Sequence, residues 1–257
     1  MRIGTTPNPR LDIIEEIRSI SVLEFDFVEL HIGNWTTSRK KEIIIETENL
    51  GLGLTGHIPD VDLCNPNPTR NRELLQGFYE DIDAFHGLGI GKVVVHAYVG
   101  REVDRSKYPG CQIRNLKLQR LKELSDRCQR YGIKLCLENT EERPEDLEMF
   151  FEDLPSLFFC LDLGHANLFT EEDKSIGFLE KFRHRLRHIH MCDNFGGYSE
   201  KCDIHLPLGT GRIDFRPTLK YLKELGYDDT FTLEVASGYK EYLEVSKKIL
   251  RRLWNEV

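Results

Sequence analysis

Histidines and carboxylates recur at the ends of short apolar segments along this 257-residue chain. Six of these segments end in a residue able to bind a divalent metal: His57, His96, Glu138, Asp162, His190 and Glu234. Three further candidates follow in loops, namely His165 in LDLGHAN, and Asp203 with His205 in KCDIHLPLGTG. Burying several carboxylates together is unfavourable unless positive charge joins them, and a divalent cation is the usual solution. Mixed imidazole and carboxylate ligands predict zinc first, with manganese or cobalt as alternatives.

Each of these residues, taken alone, has a simpler explanation. An isolated histidine at a strand end is more often a hydrogen-bonded structural group than a metal ligand. A carboxylate at a strand end often caps the helix that follows. The prediction of a metal centre, with one to three ions per chain, therefore rests on the complete set of nine residues.

The apolar segments have the length of β-strands, and segments with helical spacing lie between them. The isoleucines of segment 13–20 share one helical face, while Gly89, Gly91, Gly132 and Gly226 stand where helices are expected to end. The eight predicted strands cover residues 2–6, 25–31, 54–58, 92–98, 133–139, 157–163, 186–193 and 230–235.

Strands that are apolar on both faces and alternate with helices indicate a parallel sheet covered by helices. Eight such units in about 250 residues favour closure into a barrel over an open sheet. The absence of a GxGxxG motif after the first strand also disfavours an open dinucleotide-binding sheet. We therefore predict an α/β fold, a (β/α)8 TIM barrel forming one domain over residues 1–257, with its active site at the strand ends.

Composition narrows the classes of partner. The net charge of −8, from 35 Lys and Arg against 43 Asp and Glu, argues against a broad nucleic-acid surface, although it allows a local basic patch. The sequence shows no signal-peptide pattern and no apolar segment long enough to span a bilayer, so no membrane association is expected. Seven cysteines without a CxxC pair indicate reduced thiols in a cytoplasmic protein.

Several motifs resemble the xylose-isomerase-like barrel superfamily, which includes endonuclease IV (AP endonuclease family 2) and many sugar or sugar-phosphate isomerases and epimerases. They are LCLENT, CLDLGHAN, HIHMCDN, CDIHLPLGTGRIDF and HIPDVDLCNPNPTRNRELL, and the resemblance extends over nearly the whole chain. It implies up to three metal positions, of which isomerases and epimerases typically use the second alone. The first position would take His57, His96 and Glu138, the second Glu138, Asp162, His190 and Glu234, and the third His165, Asp203 and His205.

The resemblance supports two reactions. The first is isomerisation or epimerisation of a small sugar or sugar phosphate through a metal-stabilised enediolate, with Glu138 and Glu234 removing and returning the proton. The second is hydrolysis of abasic DNA by an endonuclease IV-like zinc phosphodiesterase. The least favoured hypothesis is a non-catalytic barrel that binds metal or sugar. A buried cluster of polar side chains lowers the stability of the fold, and such a protein would gain no catalysis from it.

Loop composition favours a small carbohydrate substrate over nucleic acid. The loop after His57 opens with Asp60 and Asp62, which would repel a phosphate backbone. The loop after His96 is better equipped, with basic residues at 101, 105 and 107, so DNA stays as the alternative partner. The sequence does not predict an oligomeric state.

Further polar residues are candidates for substrate binding. Glu29 and His31 end the second predicted strand, where substrate contact and helix capping are equally expected. His188 lies two residues before His190 on the same strand face, and is a substrate, supporting or core residue. Arg212, in GTGRID, is suited to phosphate, with a surface ion pair as the alternative role.

Overall fold

The structure is a computed structural model, and eight parallel strands form its centre. It describes residues 1–32, 35–59, 62–97, 103 and 105–257. Asp60, Arg101 and the side chain of Arg105, which entered the prediction about the loops, lie outside the described residues.

The eight strands pair in parallel in chain order, and the last pairs with the first to close a barrel. They are β1 (Arg2–Thr5), β2 (Phe27–His31), β3 (Gly53–His57), β4 (Lys92–Val95), β5 (Lys134–Glu138), β6 (Phe158–Asp162), β7 (Leu186–Met191) and β8 (Thr230–Leu233). Each predicted segment overlaps one of these strands, so the predicted TIM barrel is confirmed.

Nine α-helices lie among the described residues. They are α1 (Ile13–Val22), α2 (Thr37–Leu50), α3 (Pro68–Gly87), α4 (Gly110–Arg130), α5 (Pro144–Asp153), α6 (Leu163–Ala166), α7 (Ser175–Phe182), α8 (Arg216–Glu224) and α9 (Lys240–Glu256). Within the described part of the chain, none of them is long and apolar enough to cross a membrane.

The predicted helix signals have clear structural counterparts. The isoleucines of segment 13–20 are buried on the inner face of α1, as their spacing predicted. Gly89, Gly132 and Gly226 adopt left-handed φ angles of 72°, 70° and 70°. The same expectation was wrong for Gly91, which is not among the glycines with positive φ, because Gly89 has already ended the helix.

Strand register decides which polar residues meet at the open end of the barrel. Asp162 of β6 is paired with His190 of β7, and His190 is paired with Thr232 of β8. Helix α3 packs closely behind β3, since a Cβ on Gly56 would lie 2.5 Å from the Phe85 ring. This close contact between helix and strand fixes the position of His57, the next residue along β3.

Candidate metal centre

The nine predicted ligands meet at the carboxyl ends of the strands, in three adjacent groups. The ligand atoms within each group lie within 4.8 Å of one another. The groups are His57, His96 and Glu138; Glu138, Asp162, His190 and Glu234; and His165, Asp203 and His205. The side chains are thus grouped as the resemblance implied. Two overlapping groups bring in residues that were not predicted as ligands, Glu29 beside His57, His190 and Glu234, and Cys160 beside Glu138 and His190.

Glu138, the last residue of β5, connects the first two groups. Its Oε2 lies 2.8 Å from His96 Nε2 and 3.2 Å from His57 Nε2. Its Oε1 lies 3.1 Å from His190 Nδ1 and 3.3 Å from His165 Nδ1. Burial raises the pKa of this carboxyl, but His190 and His96 outweigh burial and hold the pKa well below its usual range. Glu138 is therefore an ionised carboxylate available to two neighbouring ions.

Asp162, at the end of β6, has two roles on its two oxygens. Oδ1 accepts the main-chain N–H of His165 and so caps α6. Oδ2 is buried without a hydrogen-bond partner among the described residues, and lies 4.0 Å from His190 Nδ1. Burial and the negative charges of Glu138 and Glu234 raise the pKa of Asp162 to about 6. The sequence left helix capping and metal ligation as alternatives for Asp162. Because its two oxygens face different partners, the same side chain can cap the helix and bind a metal.

Main-chain carbonyl groups orient three of the imidazoles. The Nδ1 atoms lie 2.8 Å from Ile58 O for His57, 3.0 Å from Asn139 O for His165, and 3.0 Å from Glu234 O for His205. We assign the proton to Nδ1 in each ring, which leaves Nε2 as the ligand atom. In the third group, the Nε2 atoms of His165 and His205 each lie 3.2 Å from an oxygen of Asp203.

His190 is oriented by a buried carboxylate instead of a main-chain carbonyl. Its Nε2 lies 2.9 Å from Glu29 Oε1, while its Nδ1 faces Glu138 and, at 3.4 Å, Glu234 Oε1. The other oxygen of Glu29 lies 2.6 Å from His188 Nε2 and accepts the Thr232 hydroxyl at 2.7 Å. Burial raises the pKa of Glu29, but His190 and His188 hold it well below its usual range. The Glu29–His190 contact is an ion pair without hydrogen-bond alignment, and the charge of an ionised Glu29 favours a proton on the Nε2 side of His190, away from the cluster.

The geometry does not support the predicted substrate contacts of Glu29, His188 and Arg212. Glu29 and His188 are 0% exposed and do not line the cavity above the cluster. Arg212 is exposed, its main-chain N–H bonds to Asn194 O at 2.8 Å, and its side chain does not line the cavity above the cluster. The period of a strand indicates which residues point inward but not how deep each one lies.

The cluster has the properties of a cation site. Glu138 Oε1, Asp162 Oδ2 and Asp203 Oδ1 are buried acceptors without a hydrogen-bond partner among the described residues. Although burial acts in the opposite direction, neighbouring negative charge raises the pKa values of His165 and His190 well above the ordinary range. Either protons or metal ions can balance these carboxylates, so the residues fit divalent cations, and the nitrogen and oxygen donors suit zinc.

A cavity of about 600 Å³ opens above the cluster. Its floor is formed by His57, His96, His165, Asp203, His205 and Glu234. Its walls are residues 6–11 after β1, residues 235–238 and 240 around the start of α9, and His31, whose ring centroid lies 4.7 Å from that of His57. The two loops were not predicted as functional, and the signal that identifies them is their position directly after β1 and β8.

The fold agrees with the comparison to protein families. The family model described as a xylose isomerase-like TIM barrel matches residues 17–253. The chain therefore belongs to the xylose isomerase-like TIM barrel family.

Individual relatives include proteins of several kinds. An uncharacterised protein of Methanocaldococcus jannaschii is 34% identical over 143 residues, which are 49% of this chain and 47% of that protein. The chain thus matches about half the length of that relative. A probable endonuclease 4 of Geobacter sulfurreducens is 26% identical, over 76% of this chain and 72% of the relative. The solved structure of a D-tagatose 3-epimerase-like protein has a TM-score of 0.85 and 26% identity, covering 100% of this chain and 99% of that one.

Proposed function

We propose that this protein is a divalent-metal-dependent isomerase or epimerase of a small sugar or sugar phosphate. The observation that carries the proposal is the buried group of Glu138, Asp162, His190 and Glu234 beneath a cavity of small-molecule size. The likeness to a D-tagatose 3-epimerase-like protein over the full chain supports it.

The chemistry of the cluster suits proton transfer at carbon. A divalent ion held by this group would polarise a carbonyl and the adjacent hydroxyl, which makes the neighbouring C–H more acidic. The Glu234 side chain is 12% exposed and lines the cavity floor, so it can take a proton from a bound substrate. Glu138 lies deeper, on β5. Glu138 is 1% exposed and does not line the cavity, so its role as the second proton-transfer group rests on the resemblance to the superfamily.

Solvent deuterium exchange tests this proposal. The protein is purified without chelator, its metal content is measured, and a panel of ketoses and sugar phosphates is followed by NMR in D2O. We expect deuterium at the carbon next to the carbonyl, loss of exchange after chelation, and recovery with zinc, manganese or cobalt. About one equivalent of metal per chain would support the one-ion reaction.

A matched pair of variants identifies the proton-transfer group. Glu234→Gln should keep the fold and abolish exchange, because Glu234 is both a proposed ligand and a proton-transfer group. Glu241→Gln makes the same chemical change at an exposed position of α9 and should exchange normally. Full turnover of Glu234→Gln with normal metal content would reject the assignment. No exchange with any sugar would reject the proposed function.

Phosphodiester hydrolysis at abasic DNA is the second candidate, and one observation favours it. The group of His165, Asp203 and His205 would be a third metal position, which a one-ion isomerase does not need. Two to three zinc equivalents per chain would favour this reaction. We expect only weak, strongly salt-sensitive binding to duplex DNA, because the net charge is −8. Tight binding selective for abasic sites at physiological salt would reverse the ranking.

A further inference from the structure

The wall of the cavity next to β1 carries two cationic side chains that the proposed reaction does not use. Arg10, in the loop after β1, and Lys240, at the start of α9, both line the cavity above the cluster. A carbonyl and its neighbouring hydroxyl would engage the proposed ion on the floor. The wall therefore contacts parts of the substrate that do not react.

The two cations differ in their electrostatic surroundings. Lys240 Nζ pairs with the carboxylate of Glu16, which is 2% exposed, so its charge is already balanced. The guanidinium of Arg10 has no hydrogen bond or ion pair with any described residue. Arg18 and Arg39, on the neighbouring helices α1 and α2, both pair with carboxylates. Arg10 is thus a positive charge at the cavity that the described part of the chain leaves without a counter-charge.

The main chain around Arg10 is held in place, which fixes the base of its side chain. The N–H of Arg10 donates to Asn8 Oδ1 at 3.0 Å, and the N–H of Leu11 donates to Asn8 O at 3.1 Å. Asn8 is itself attached to α1, because its N–H donates to Glu16 Oε2 at 2.8 Å. The same carboxylate therefore neutralises Lys240 and anchors the loop that presents Arg10.

We infer that the substrate carries an anionic group, a phosphate or a carboxylate, on its non-reacting part, and that Arg10 binds this group. This inference rests on the proposed sugar isomerase or epimerase activity. It predicts that the protein prefers negatively charged sugars to neutral ketoses. A guanidinium presents parallel N–H donors that match two oxygens of a phosphate or carboxylate, and it stays charged at any physiological pH. Because the protein as a whole is acidic, selection of an anion requires a local cation of this kind.

The test compares matched substrates in the metal-loaded, full-length protein. Steady-state kinetics are measured with a ketohexose, its 6-phosphate and the corresponding keto-uronate. Arg10→Gln should lower kcat/KM for the preferred anionic substrate by about 10- to 100-fold, mainly through KM, and change the neutral sugar less than about twofold. The phosphate and uronate arms identify which anion is bound. Arg251→Gln, an exposed arginine of α9 outside the cavity, is the control and should leave all three values unchanged.

Two outcomes would overturn the inference. They are a preference of the unaltered protein for the neutral sugar, and an equal loss on all substrates in Arg10→Gln. Both leave the proposed function standing, because a sugar is still turned over. If no sugar is turned over, calorimetric titration of the sugar phosphate into both proteins separates the two proposals. Binding that is about 10- to 100-fold weaker in Arg10→Gln would support the anion site alone, whereas equal binding would reject it.

Discussion

Replacing Glu29 by glutamine would change a buried side chain outside the cavity, and we expect the change to weaken metal binding. The two oxygens of Glu29 face two imidazoles, His190 Nε2 at 2.9 Å and His188 Nε2 at 2.6 Å. Glutamine keeps the shape of the side chain but replaces one acceptor oxygen with an NH₂ group. The change also removes the negative charge that faces both imidazoles, so a proton on His190 Nε2, with the Nδ1 lone pair left for the cluster, is stabilised less.

The expected magnitude follows from the place of His190 in the cluster. Loss of the group that orients a ligating imidazole typically weakens metal affinity about 10- to 100-fold. That factor corresponds to about 1.4 to 2.7 kcal/mol of binding free energy. His190 belongs to the group with Glu138, Asp162 and Glu234, so the loss should fall on the ion at that position. The group of His165, Asp203 and His205 should keep its affinity.

Competition with a chromophoric chelator measures these affinities in the purified protein. Thr55→Val is the matched control, because it removes a 3.2 Å hydrogen bond to Glu29 Oε2 and leaves the contact with His190 in place. We expect its metal affinity to stay within about threefold of the unaltered protein. Unchanged affinity in Glu29→Gln, together with a normal thermal unfolding curve, would refute the orienting role of Glu29.

Three further results are expected. Asp193→Ala should lower the free energy of unfolding by about 2 to 4 kcal/mol in urea titrations, since its carboxylate accepts the main-chain N–H groups of residues 209, 211 and 213 at 2.9, 2.9 and 3.2 Å. Burial raises the pKa of Asp81 from 3.8 to about 6, so its ionisation reduces stability as the pH rises through that interval. Asp81→Asn should therefore stabilise by about 1 kcal/mol at pH 8 and by nearly nothing below pH 4 in thermal melts, after allowance for solvent screening. Zinc binding at pH 7 should release protons from His165 and His190, and calorimetry in buffers of different ionisation enthalpy would detect this.

The strand pattern predicted the barrel because buried parallel strands are apolar on both faces, a signal that each segment carries by itself. The boundaries of the strands were predicted less accurately than their number. β4 ends at Val95, three residues before its predicted end at residue 98. The predicted ligands still lie together at this end of the barrel, because a metal site restricts the residue types that can occupy it. His96, for example, keeps its place beside Glu138 although it lies just beyond its strand.

Depth within the barrel was beyond sequence reasoning. Glu29 and His188 point inward, as a strand period of two requires, but their strand register pairs them with Thr55 and Thr230, two residues before the predicted ligands or the strand ends. Side chains in a narrow closed barrel stack in layers, and only the uppermost layer reaches the cavity. The layer of each residue depends on the register between neighbouring strands, and a single sequence does not contain that register.

The cavity wall was the least predictable part, for a different physical reason. Glu16 contacts both Asn8 and Lys240, and Lys240 lies 224 residues from Glu16 in the sequence, so no local pattern reveals the contact. A metal ion restricts its ligands to a few residue types, such as histidine and carboxylates, in every reaction that it supports. The type of a wall residue depends instead on the particular substrate. In this barrel the floor therefore indicates the class of chemistry, and the wall around Arg10 indicates which molecules undergo it. Kinetics of Arg10 and Glu234 variants should separate accordingly, with Arg10→Gln changing the order of preferred substrates and Glu234→Gln abolishing turnover of all of them.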